Sequence, residues 1–279
     1  LLHTAGVHVP KVLAWDKEDG FMLLEDLGQH TLMQHLNATE NSPALAYFEQ
    51  ATDTLLQLQL ITPPTWLPAY DEALLRRELA LFETWYVQSH LQLQLTPAQQ
   101  QQLLGVYDVL VKHNLNAPHV FVHRDFMPRN LMVSADPQQP LGVLDFQDAV
   151  IGPMTYDIAS LMRDAFISWD EDFCLDITVR YWHKARAAGL MNFADWDTDF
   201  GAFYRAVEWM GLQRHLKVAG IFARLTLRDH KPKYLADTPR FIRYMRSTAS
   251  RYRELFPLLR LLDDIEGATP ASGYFFGRL

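Results

Sequence analysis

The apolar positions of this chain follow two different rhythms. In residues 120–145 they run together: Val120-Phe121-Val122, Leu131-Met132-Val133 and Gly142-Val143-Leu144 are short apolar runs, and Met127-Pro128-Arg129-Asn130 carries turn residues between the first two. Runs of that length bounded by turn formers predict strands. Val12 to Trp15 and Phe21 to Glu25 flank Asp16-Lys17-Glu18-Asp19-Gly20 and predict a hairpin, preceded by the tail of a helix that stops at Gly6. From Ser42 onward the apolar residues otherwise recur at helical spacing. The predicted helices are Tyr47 to Leu60, Leu74 to His90 (Leu75, Leu79, Phe82 and Tyr86 on one face), Pro97 to Asn114, Tyr156 to Phe166, Glu171 to Ala188, Phe200 to Lys217 and Phe241 to Leu262. Gly152-Pro153 is expected to open the Tyr156 helix, with Thr155 placed to cap it. The tail from Gly267 reads as loose, with Tyr274-Phe275-Phe276 docking on the body. No repeat or low-complexity linker interrupts the pattern. The expectation is an α+β chain, a small strand-containing N-terminal lobe joined directly to a large helical one.

Composition narrows the function classes. Asp and Glu number 33 against 25 Lys and Arg, a net charge of −8, which argues against a general nucleic-acid binder because phosphate-backbone affinity comes from cations. The single cysteine, Cys174, excludes an internal disulfide and reads as a buried, inert thiol. No apolar run is long enough to span a bilayer and nothing at the N-terminus resembles a signal peptide, so a cytoplasmic protein is expected, with no membrane partner. His113, His119 and His123 do not form a zinc site: no cysteine supports them, and the His119/His123 spacing falls on a predicted strand, which keeps the rings apart.

The strand ends carry the chemistry. A loop pinned between two strands presents Asp125 and Asn130 from a rigid base, and the third strand ends on Asp145. Hard oxygen donors of this kind suit Mg²⁺, which keeps several waters and is completed by substrate phosphates. A second carboxylate beside it can accept the proton of an attacking hydroxyl. A lone Asp in a loop is usually a turn residue; the combination is what points to metal and phosphate.

His123-Arg124-Asp125-Phe126-Met127-Pro128-Arg129-Asn130 matches the His-Arg-Asp-x4-Asn spacing of protein-kinase catalytic loops, with Phe126 for the usual Leu, and Asp145-Phe146-Gln147 has Gln where the kinase motif has Gly. With Leu23-Leu24-Glu25-Asp26-Leu27-Gly28, Leu144-Asp145-Phe146-Gln147-Asp148-Ala149 and Leu212 to Gly220, this resembles the aminoglycoside phosphotransferase and choline kinase superfamily. Within it, the chain is similar to the bacterial anomeric kinases of N-acetylmuramate and N-acetylglucosamine used in cell-wall recycling. The resemblance covers about Leu1 to about Tyr244. It implies a bilobal protein-kinase-like fold, with residues 1–28 as the remainder of a truncated nucleotide-binding lobe and hinge and 29–279 as the helical lobe. It implies ATP and Mg²⁺ as cofactors and an amino sugar as substrate. Asp125 is then the base, Asn130 and Asp145 the metal holders, and Leu24, Glu25, Asp26 and Leu27 the hinge on which adenine sits. Asp157 corresponds to the carboxylate that braces the loop. Arg124 reads as a structural anchor, with a phosphate contact as the other reading. Arg129, beside Asn130, and Asp164, Trp169, Glu208, Arg214 and His215, on or beside the helices expected to wall the acceptor pocket, are the acceptor candidates.

One part of a kinase lobe is not found ahead of the hairpin: a phosphate-covering loop and a strand lysine, for which Lys11 in its Pro10 context is no substitute. The expectation is that a leading segment lies outside these residues. The competing readings are an aminoglycoside or other amino-alcohol phosphotransferase, which needs an acidic pocket, and an inactive nucleotide-binding scaffold.

Overall fold

The computed structural model describes residues 1–36, 41–134, 136 and 139–267. In chain order the strands are β1 Val12–Asp16, β2 Phe21–Leu24, β3 His119–Val122, β4 Leu131–Met132, β5 Gly142–Val143 and β6 Val150–Pro153. The helices are α1 Leu32–His35, α2 Asn41–Gln59, α3 Glu72–Leu81, α4 Pro97–Leu115, α5 Thr155–Met162, α6 Glu171–Ala187, α7 Phe200–Leu227, α8 Thr238–Arg251 and α9 Phe256–Glu266. By contact the chain forms two compact units, Leu1–Tyr70 with Asn116–Val207, and Asp71–Leu115 with Glu208–Leu279.

The first unit holds all the strands among the described residues. β1 and β2 form an antiparallel hairpin, its turn closed by the Asp16 carboxylate, which accepts the Glu18 and Asp19 N–H groups. Its apolar residues are exposed on both faces, Phe21 at 72% and Leu13 at 60%. β3 pairs antiparallel with β6, and the 68–70 segment lies along the other edge of β6, with Tyr70 N–H to Ile151 O at 2.7 Å and Ile151 N–H to Pro68 O at 2.8 Å. β4 pairs with β5, which is tied to the N-terminal segment by Val143 N–H to His8 O at 2.8 Å. Around these strands α2 packs on α6 through Phe48, Phe173 and the neighbouring Trp169, with ring centroids 4.7–5.4 Å apart. Gln59 of α2 donates to the Met154 carbonyl at 2.9 Å and accepts the Tyr181 hydroxyl, so the start of α5 is held from the helical side.

The second unit is helical among its described residues. α3 runs into a π-helical stretch, Phe82–His90. At that junction a Cβ on Gly220 of α7 would lie 2.4 Å from the Leu81 carbonyl, so glycine is required for the close crossing. Lys217 and Glu78 form a largely buried ion pair at 2.9 Å, Tyr107 donates to the Leu79 carbonyl at 3.0 Å, and α9 packs on α4 and α8. It ends in a left-handed Gly267, the usual helix stop.

Several predicted boundaries differ. Val150–Pro153 is a strand, not a helix opening; Met154 is the N-cap of α5 and Thr155 lies inside the helix, so Thr155 does not cap it. Its β-branched pair Val150-Ile151 finds an open edge on β3, and that tertiary pairing outweighs the local Gly-Pro signal. The strands on either side of the loop of residues 123–130 go to separate pairings. The predicted helix from Phe241 to Leu262 is two helices, broken at Tyr252–Leu255, with Pro257 in the first turn of α9. A proline removes an interior helical bond but fits a first turn. α7 continues ten residues beyond Lys217. The expected docking of Tyr274-Phe275-Phe276 lies outside the described residues.

Candidate active site

β3 delivers the chain to His123, which is 0% exposed, and there the backbone turns sharply. Arg124 adopts a left-handed φ of 76°, unusual for a side chain with a Cβ and maintained only when the surroundings enforce it. The enforcing group is Asp157 in the first turn of α5, fully buried, whose two carboxylate oxygens accept His123 N–H at 2.7 Å and Arg124 N–H at 3.0 Å. The Arg124 guanidinium donates to the Asp148 carbonyl at 3.4 Å.

His123 completes the brace. Its Nε2 lies 2.9 Å from the Leu144 carbonyl, which can only accept, so Nε2 carries the proton and Nδ1 is left to accept Asp125 N–H at 3.2 Å. Burial pushes the His123 pKa below its usual 6.5, against the bond to Leu144 and the charges of Asp125 and Asp145, which pull it up. The neutral ring is the form that satisfies both bonds, and it links the base of the loop to the residue before Asp145.

On the outer side the geometry gathers the three predicted residues. The turn Pro128–Asn130 closes on Asn130 N–H to Met127 O at 2.9 Å. The Asn130 amide then donates to the Asp125 carbonyl at 2.8 Å and to the Asp145 carboxylate at 3.4 Å. Leu144 N–H to Asn130 O at 2.9 Å brings the two segments into register. Asp145, with a left-handed φ of 65°, is exposed, and its other oxygen accepts Gln147 Nε2 at 2.7 Å. Gln147 entered the sequence reading only as a departure from the kinase motif; here it orients the carboxylate. With its NH₂ engaged, Asn130 keeps a carbonyl oxygen that can only accept or ligate. That oxygen and the Asp145 carboxylate are a hard, sparse donor set, and no group of three His, Cys, Asp or Glu among the described residues could hold a metal unaided. This fits Mg²⁺, which relies on water and phosphate for its remaining ligands.

The other candidates fall in different places. Leu24 pairs with Val12 at the end of the hairpin, Glu25 N–H donates to Lys11 O at 2.9 Å, and Asp26 accepts Gly28 N–H at 2.8 Å. Leu27 lies over Gly142, where an added Cβ would stand 2.7 Å from its Cδ1, so the segment 24–27 is tied to β5 and thereby to Asp145. A mostly apolar cleft of about 630 Å³, lined in part by Lys11, Trp66, Phe121, Phe146 and Gln147, opens beside that carboxylate. Arg129 is exposed on the loop, its guanidinium 4.7 Å from the centre of the Phe166 ring. Asp164 is buried and accepts Phe166 and Ile167 N–H, and Trp169 is in the aromatic core with Phe48 and Phe173. Glu208, Arg214 and His215 belong to the second unit and are buried there: Glu208 accepts from Arg251 and Tyr252, and His215 stacks on Tyr244 at 4.7 Å.

A chain comparison gives this geometry its context. An N-acetylmuramate/N-acetylglucosamine kinase of Pseudomonas aeruginosa is 49% identical over 262 residues, covering 94% of this chain and 75% of that protein. Among solved structures, a choline/ethanolamine kinase family protein from Mesorhizobium loti superposes with a TM-score of 0.61 at 15% identity, over 93% of this chain and 79% of that one. An ADP-bound aminoglycoside phosphotransferase superposes with a TM-score of 0.53 at 18% identity, over 87% and 78%. These two establish a protein-kinase-like fold. The profile described as the phosphotransferase enzyme family matches residues 1–196, which include every residue of the loop, its brace and Asp145. With its fold, its loop and its sequence in agreement, the chain belongs to that phosphotransferase enzyme family.

Proposed function

We propose that the chain is an ATP- and Mg²⁺-dependent kinase that transfers the γ-phosphoryl group to the anomeric hydroxyl of N-acetylmuramate or N-acetylglucosamine, acting in the cytoplasm in peptidoglycan recycling. The observation that carries the phosphotransfer is the Asn130 amide, bonded at once to the Asp125 backbone and the Asp145 carboxylate. The name of the Pseudomonas relative, at 49% identity, supports the choice of sugar.

In this reading Asp145 and Asn130 would hold Mg²⁺, which would supply positive charge beside the phosphates. Asp125 projects from a loop fixed by Asp157 and His123, so its carboxylate accepts the hydroxyl proton from a set position. Residues 24–27 offer backbone groups to adenine, with residues 1–28 contributing to the nucleotide lobe and the rest forming the helical lobe. Arg129 meets the acceptor on the loop's outer side.

A screen with labelled ATP against N-acetylmuramate, N-acetylglucosamine, an aminoglycoside panel and choline tests this. Transfer to the two N-acetylated sugars is expected. Transfer to aminoglycosides or choline alone assigns the chain to amino-alcohol acceptors, and transfer to nothing favours a silent nucleotide-binding role.

A further inference from the structure

Helix α5 and the turn that follows it meet the loop of residues 123–130 at two places. In the first turn of α5, Asp157 receives His123 and Arg124 N–H. Just beyond the last turn, Asp164, 1% exposed, receives Phe166 N–H at 2.5 Å and Ile167 N–H at 3.0 Å. Those two bonds close a tight turn that presents the Phe166 ring to the Arg129 guanidinium, 4.7 Å away. Arg129 itself precedes Asn130 directly and is exposed, and no carboxylate among the described residues pairs with it. α5 therefore holds residues 123–124 through Asp157, and the turn that follows it meets residue 129 through Phe166, set by Asp164.

A guanidinium lying on an aromatic face loses rotamer freedom while its edge N–H groups stay available, and that edge matches a carboxylate bidentately. The two sugars of the proposed function differ in just such a group, since N-acetylmuramate carries a carboxylate that N-acetylglucosamine lacks. We infer that Phe166, set by the Asp164 turn, is a positioning residue that pre-orients Arg129 for the acceptor's carboxylate and so sets the preference between the two sugars. This rests on the amino-sugar reading above. Holding the cation in place before the acceptor arrives removes an ordering cost from binding, so the effect belongs in KM for the anionic sugar, not in turnover.

The test is steady-state kinetics on both sugars, in the full chain, for Phe166→Leu, Phe166→Tyr, Arg129→Ala and the Phe166→Leu/Arg129→Ala double variant. Phe166→Leu keeps an apolar side chain in the turn and removes the ring. KM for N-acetylmuramate is expected to rise roughly three- to tenfold, with kcat and the KM for N-acetylglucosamine unchanged. Phe166→Tyr should restore the wild-type ratio, and Phe166→Leu should add nothing once Arg129 is Ala. Equal losses on both sugars, or additive effects in the double variant, overturn the positioning role while leaving the sugar-kinase reading standing. A wild-type chain that phosphorylates neither sugar overturns that reading, and this inference with it.

Discussion

On its inner side the loop of residues 123–130 meets Asp157, fully buried, with both carboxylate oxygens engaged by backbone N–H groups. On its outer side it meets Asp145, exposed, with its oxygens bonded to the side-chain amides of Asn130 and Gln147. Both are aspartates that meet the same loop, yet their settings assign them different work. A carboxylate whose lone pairs are taken up by backbone fixes geometry and has little left to offer a ligand. An exposed carboxylate steered by amides keeps its charge available. Substitutions on the two sides should therefore separate stability from chemistry.

The largest separation is expected at Asp145. Asp145→Asn, chosen because Asn tolerates the left-handed φ, should cost about a thousandfold in turnover, equivalent to roughly 4 kcal/mol of barrier. Its melting temperature should stay near wild type, since exposed substitutions shift stability by only about 0.5 kcal/mol. Asp157→Ala should do the reverse first: two buried N–H groups lose their acceptor at about 1–3 kcal/mol each, and thermal melts should show a fall on the order of 10 °C. Equal melting temperatures for these two variants would break the comparison.

His123 sharpens it by pH. Its folded pKa lies below the unfolded value, so the stabilisation from the neutral ring is fully present above about pH 6.5 and declines as pH falls through 6.5 toward the folded value. Melts between pH 8 and pH 5 should show an acid-side loss of stability that His123→Gln lacks. The smallest effect is expected away from both sides, at Cys174. Burial pushes its thiol up to about 11, so iodoacetamide at neutral pH should leave the native chain unmodified and fully active.

Much of this site was legible in the sequence because its parts are local. The spacing from His123 to Asn130 and the place of Asp145 after an apolar run state which residues meet, although β5 stops at Val143, two residues short of the strand end expected at Asp145, and the hairpin at 12–24 was visible in its turn formers and β runs. What escaped depended on distant partners. β6 is a strand because β3 and residues 68–70 flank it, while Gly152-Pro153 taken locally suggests a helix start. The break between α8 and α9 is hidden by an amphipathic period that continues through it, and Leu81, where α3 passes into the π-helical stretch, meets Gly220 from 139 positions further along the chain. Gln147 was visible as a departure from a motif, but its bond to Asp145 was not. Phe166 looked like the end of a helical stripe, and nothing in its neighbours announces the Arg129 it faces.

The most direct test of the central claim is one paired measurement on Asp125→Ala, Mg²⁺-ATP affinity by calorimetry beside turnover of N-acetylmuramate. The proposed role of Asp125 at the hydroxyl proton, not at the nucleotide, implies affinity within about twofold of wild type and turnover reduced by roughly 10²- to 10⁴-fold. Normal turnover in that variant would contradict it.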